Sequence, residues 1–202
     1  MTRTTVVAAA VILLSSGTLM RRLHAQQCEL RQKMSADEKK QVLSGPLDRG
    51  DRAAVRCAVA FMDDLSRAGD PGAMPSIARY LDLRTPETPE DIGPFSRPEM
   101  YGGEYPAIGY IVRYRRKAIP ALLTAIGEAI PDSLEAHNAV RAFMAIEAPD
   151  PPAGVQLLLQ EAGKKQGSGY EALIDAAQYA ASQPECRYTR KACQEALDIG
   201  PQ

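Results

Sequence analysis

The sequence predicts an all-α protein, a short α-solenoid of about four helix pairs closed by one further helix at its C-terminal end. Two observations carry that prediction. First, apolar residues recur at i, i+3, i+4 and i+7, the stripe of an amphipathic helix, in three related segments. Met74-Pro75-Ser76-Ile77-Ala78 leads to Leu81, Ile119-Pro120-Ala121-Leu122-Leu123 to Ile126, and Val155-Gln156-Leu157-Leu158-Leu159 to Ala162. The offsets between them are 45 and 36 residues, a spacing typical of stacked helical repeats. Second, partner stretches lie between these segments: Ala54-Val55-Arg56 continues into Phe61-Met62, and Ala139-Val140-Arg141 into Phe143-Met144.

The chain begins with Arg3, an apolar run from Val6 to Met20, and small residues ending at Ala25. These are the parts of a secretory signal peptide, so residues 1–25 are expected to be a leader and the body to be exported, periplasmic or secreted. Arg21 and Arg22 just beyond the apolar run favour the alternative, an uncleaved anchor. Only then would the protein touch a membrane, as a structural envelope protein. Cys28 is preceded by Ala25-Gln26-Gln27, which is not a lipoprotein signal. The leader holds three arginines and no acid, so its removal carries the net charge from −1 to −4. A mildly acidic body lacks the basic footprint of a nucleic-acid binder, and no nucleic-acid partner is expected.

Residues 26–49 form an N-terminal segment with no assigned helix, and the repeats are expected over 50–182. Asp70 before Pro71 is an N-cap with proline in the first turn. The prolines at 75 and 120 fall early enough in their helices to spare the hydrogen-bonded turns. Ala107 to Val112 is a further helix, although Tyr110-Ile111-Val112 has strand propensity. Asp132-Ser133 opens the helix containing His137. Tyr170 to Ala181 places Leu173, Ile174, Ala177 and Ala181 on one face. Residues 183–202 are a disulfide-capped helix stopped by Gly200-Pro201.

The segments 69–81 and 117–126 resemble the first helix of HEAT-type repeats, and Ala139-Val140-Arg141-Ala142 resembles the second. The resemblance covers about residues 50–182. It implies a right-handed armadillo-like solenoid and a non-catalytic scaffold or adaptor that binds a protein or peptide on one curved face. An irregular helical bundle is the alternative architecture for the same helices.

Cys28, Cys57, Cys186 and Cys193 are an even set behind a leader, which reads as two disulfides in an oxidising compartment; buried unpaired cysteines are the alternative. Four cysteines pair in three ways. A repeat array keeps its ends apart, so local pairing is expected: Cys28 with Cys57, and Cys186 with Cys193. Two residues seven apart on one helix are separated by about 10 Å, too far for a bridge. Cys186 must therefore precede the helix that carries Cys193.

No cofactor and no metal site is expected. His137 is the single histidine of the body, and reads as a surface residue rather than a ligand or catalytic base. Gly167-Ser168-Gly169 is a turn, not a phosphate loop. Asp63-Asp64 reads as solvated helix surface. The alternative is an enzyme with an unrecognised site, for example a carboxylate-based hydrolase using Asp63, Asp64 or Glu128, and nothing in their spacing demands it.

Two stretches are the candidate partner contacts. The insertion at 85–104 is rich in proline and glycine and carries Phe95 and Tyr101, with Tyr105 directly after it; a stretch of that kind is either a surface insertion or a functional loop. The run Arg113-Tyr114-Arg115-Arg116-Lys117 is the densest charge cluster, with Arg113, Arg115 and Arg116 as candidate contacts. Clustered cations attract anionic or acidic-peptide ligands. Equally, cations at a helix C-terminus complement its dipole.

Overall fold

A computed structural model describes residues 28, 31–85 and 104–200. Among the described residues the chain is helical and has no strand, so the all-α class holds. Residues 1–25, expected to be a leader, lie outside the described residues, as do 86–103 of the insertion. Two compact units divide the chain within one helix, residues 1–61 and 62–202.

In the first unit, α1 spans Ala36–Ser44 and α2 spans Arg52–Ala68, of which 52–61 belong here. Helix α1 falls in the segment for which no helix was expected. Its signal is a capping box: the Ser35 hydroxyl accepts from the Glu38 N–H, and the Glu38 carboxylate accepts from the Ser35 N–H at 2.7 Å. This reciprocal pair satisfies two N–H groups that a helix start leaves free. Asp51 opens α2 by accepting from the Ala53 N–H at 2.9 Å. Ala54, Val55, Ala58 and Phe61 are buried along one face. Cys57, buried on that face, is bonded to Cys28 with a Cα separation of 5.5 Å.

The second unit takes the end of α2 and seven further helices: α3 (Met74–Ala78), α4 (Pro106–Val112), α5 (Ile119–Glu128), α6 (Leu134–Glu147), α7 (Pro151–Ala162), α8 (Ser168–Ser182) and α9 (Arg190–Ile199). Side-chain oxygens of Asp70, Ser133 and Asp150 cap the starts before α3, α6 and α7. The apolar stripes expected from the sequence are buried: Ile77 and Leu81, Leu122 and Ile126, Val155 and Leu158. Helix α4 forms despite its strand-like Tyr110-Ile111-Val112. Pro106 sets the first turn, and Ala107, Ile108 and Ile111 bury one face at helical spacing. Tertiary burial overrides a weak local preference.

Most helices pack on their next or next-but-one neighbour: α3 on α4 and α5, α4 on α6, α5 on α6, α6 on α7 and α8, α7 on α8 and α9. The departure is α5, which packs on α8. Gly127 and Gly169 lie at this contact, where a Cβ on either would make only ordinary van der Waals contact. A Cβ at Gly169 would stand 3.4 Å from the Gly127 carbonyl oxygen, and one at Gly127 would meet Leu173 at 3.7 Å.

Cys186 lies in a 3₁₀ turn, Pro184–Arg187, ahead of α9, and joins Cys193 on that helix with a Cα separation of 6.2 Å. Both bridges are the local pairs expected, and the turn meets the geometric condition on the second. The insertion has a closed neck: the Thr85 N–H donates to the Glu104 carbonyl at 3.0 Å, and Arg84 pairs with the Glu104 carboxylate.

Candidate functional site

The charge-rich turn after α4 is built around a buried tyrosine. Tyr114 is almost fully buried, and its hydroxyl donates to the Leu65 carbonyl on α2 at 2.9 Å. One residue along α2, the buried Ser66 hydroxyl donates to the Tyr110 carbonyl at 3.1 Å. These two bonds fasten the end of α4 to the end of α2, and the cations on either side of Tyr114 are displayed from that frame.

Two of those cations are held by carboxylates. Arg113 donates to one oxygen of Asp63 at 2.7 Å, and Arg67 donates to the other at 2.8 Å. Partial burial pushes the Asp63 carboxyl upward, but the hydrogen bonds and charges of Arg113 and Arg67 outweigh it and leave it below the usual carboxylate value. The Arg113 guanidinium also lies over the Tyr110 ring, 5.1 Å from its centroid. Burial, and then the Asp63 charge, push the Tyr110 phenol upward. Asp63 is thus not the solvated helix surface expected of it: the fold brings it to a cation fifty positions away in the chain.

On the other side Arg116 donates to Glu147 at 3.1 Å. Glu147 ends α6 with its side chain only 4% exposed, and its second carboxylate oxygen has no hydrogen-bond partner among the described residues. Helix α7 crowds it: a Cβ at Gly154 would come within 3.0 Å of the Glu147 Cβ. Glu147 is absent from the expected candidates, although the sequence carries a signal for it. Val140, Phe143, Met144 and Glu147 follow i, i+3, i+4 and i+7, so a carboxylate occupies the last place of an apolar stripe.

Arg115 and Lys117 are exposed and make no ion pair or hydrogen bond among the described residues. Arg115 adopts φ 53°, in the left-handed region that non-glycine residues rarely enter. The reading of these cations as complements to a helix C-terminus fits Arg113 alone, which caps α4. Arg115, Arg116 and Lys117 occupy a 3₁₀ turn, Arg115–Ala118, that runs directly into α5. They stand in the first turn of that helical run, where positive charge opposes the dipole by roughly 0.3–1 kcal/mol each.

The other candidates fall elsewhere. Tyr105 is the N-cap residue of α4, about 10 Å along the helix axis from the cations at its far end, so the two groups are not brought together. Phe95 and Tyr101 lie outside the described residues. Glu128 is exposed at the end of α5. His137 is more engaged than a surface residue: its ring stacks on Tyr179 with centroids 4.1 Å apart, and Nε2 lies 3.0 Å from Asp132. Beside it, buried Asn138 donates to the Leu81 carbonyl at 2.8 Å and accepts from Arg141. Among the described residues no group of three or more His, Cys, Asp or Glu is placed to hold a metal ion, and no helix is long and apolar enough to cross a membrane.

Comparison with protein-family models, with curated proteins and with solved structures gives no match.

Proposed function

We propose that this protein is an exported, non-catalytic helical scaffold or adaptor that binds a protein or peptide partner through its helical surface. The observation that carries the proposal is the anchored turn. Its backbone is fastened to α2, and two of its cations are held by Asp63 and Glu147. Arg115 and Lys117 are left exposed on that rigid frame. A turn whose backbone is already anchored has less ordering entropy to lose on binding.

The finer architecture belongs to the same proposal. A short HEAT-like solenoid is supported by helices that pack on next and next-but-one neighbours, as stacked repeats do; the α5–α8 contact is the irregularity it must accommodate. Export is supported by the two disulfides, which persist in oxidising compartments. Mass analysis of the mature N-terminus tests export directly: a start at Gln26 is expected, and a retained Met1 would overturn cleavage.

The binding role is tested by capture from the native envelope with three proteins: the mature chain, an Arg115→Ser/Lys117→Ser variant, and a chain with 86–103 replaced by a short Gly-Ser link. The link is feasible because Thr85 and Glu104 are already hydrogen-bonded. A partner lost with the charge variant places binding on the turn, and one lost with the excision places it on the insertion. A partner retained by all three moves it to another helical face. No partner for the mature chain would sink the proposal.

A further inference from the structure

We infer that the turn Arg113–Lys117 is a docking surface for an acidic peptide segment, one that presents clustered aspartate or glutamate side chains. The inference rests on the binding role proposed above and names the chemistry of the partner.

Four cations crowd into five residues around the buried Tyr114. The structure already displays the ligand chemistry this turn accepts, because its two satisfied arginines are satisfied by carboxylates, Asp63 and Glu147. Those internal pairs do not exhaust it. Arg116 is joined to Glu147 through a single nitrogen, and its side chain is 73% exposed. A guanidinium has five donors, so most of its hydrogen-bonding capacity faces outward. Arg115 and Lys117, on either side of it, have no counter-charge among the described residues.

The location strengthens the argument. Three of the cations stand at the start of a helical run, where each raises the local positive potential instead of relieving it. Local rules broken at a cost to stability are expected at functional or strained sites. A carboxylate-bearing segment would relieve the turn from outside as Asp63 and Glu147 do from within.

Carboxylates fit better than a phosphate backbone. The cations from Arg115 to Lys117 span about 4 Å of a 3₁₀ turn, too short to follow the phosphate ladder of a nucleic acid. The chain as a whole carries a net charge of −1 and so lacks the broad basic footprint that a nucleic acid needs.

The test is an NMR amide titration of the disulfide-intact protein with a hexaglutamate peptide. Hexalysine, a single-stranded oligonucleotide and anionic-lipid vesicles are the comparison arms. The expected result is shifts confined to the amides of 113–119, weakened by added salt. The Arg115→Ser/Lys117→Ser variant should bind about tenfold more weakly, since each exposed pair contributes about two- to fivefold. Its amides outside 113–119 should keep their positions, which excludes misfolding. The inference is overturned if hexaglutamate leaves 113–119 unmoved, if the variant binds equally well, or if the oligonucleotide or vesicles bind more tightly. The capture experiment separates the two ideas. A captured partner without hexaglutamate binding refutes the acidic-peptide inference and leaves the binding role standing. Failure of the mature chain to capture anything removes the role and the inference with it.

Discussion

Removing Arg116 should destabilise the protein although the side chain is largely exposed, because the damage falls on Glu147. The Glu147 side chain is 4% exposed; among the described residues one carboxylate oxygen has no donor, and the other takes a single hydrogen bond, from Arg116. Stranding one member of a fully buried ion pair costs about 3–5 kcal/mol. Here Arg116 is 73% exposed, so water can approach the carboxylate from the vacated side, and about 2 kcal/mol is the expectation for Arg116→Ala. Glu147→Gln alone removes the charge but keeps the shape and an acceptor, and should cost under about 1 kcal/mol. The double variant, with no charge left to strand, should recover more than half of the Arg116→Ala loss. Urea unfolding without reductant reads all three, and 2 kcal/mol corresponds to a midpoint shift of about 1 M. An Arg116→Ala protein that unfolds at the wild-type midpoint would refute the reasoning. So would a double variant as unstable as Arg116→Ala, since the buried charge would then not be the cause.

Asp63 makes stability depend on pH in a defined direction. Its native carboxyl lies below the usual value, so its contribution is present above the unfolded value and is lost as pH falls through the native one. Wild type should therefore approach Asp63→Asn in stability below about pH 4, and a gap that widens on acidification in parallel urea titrations would reverse the assignment. Arg115 sits at φ 53°, so Arg115→Gly should stabilise by about 0.5 kcal/mol, relief of left-handed strain exceeding the entropy of glycine; a lower urea midpoint would count against that strain. Peptide mapping without reductant should find Cys28 linked to Cys57 and Cys186 to Cys193. Removing the first bridge should cost more than removing the second, about 3.6 against 2.5 kcal/mol from loop length, and the reverse order in thermal unfolding would contradict that ranking.

The helices and their buried faces were legible because they are written in local periodicity. The stripes containing Ile77, Leu122 and Val155 each fit within about two helical turns, and burial in the fold follows them. Caps were legible for the same reason: Asp70 and Ser133 act on N–H groups two or three residues away. The one unforeseen α-helix, α1, was also written locally, in Ser35 and Glu38. Apolar periodicity does not reveal it, because the segment has a weak stripe, with Leu43 as its only buried residue.

The candidate site was legible as composition and illegible as arrangement. Arg113 to Lys117 stands out in any reading of the chain, but which cations are held and which remain available depends on Asp63 and Glu147. These lie 50 and 31 positions away from their partners. Local sequence determined the helical class, the helix boundaries and the chemistry of the cysteines, since each depends on neighbours within a turn or two. The tertiary structure alone decided that α5 packs on α8, that a carboxylate is buried against Arg116, and that Arg115 and Lys117 have no counter-charge among the described residues. Those outcomes follow from which surfaces can approach closely enough to exclude water, and residues distant in the chain settle that together.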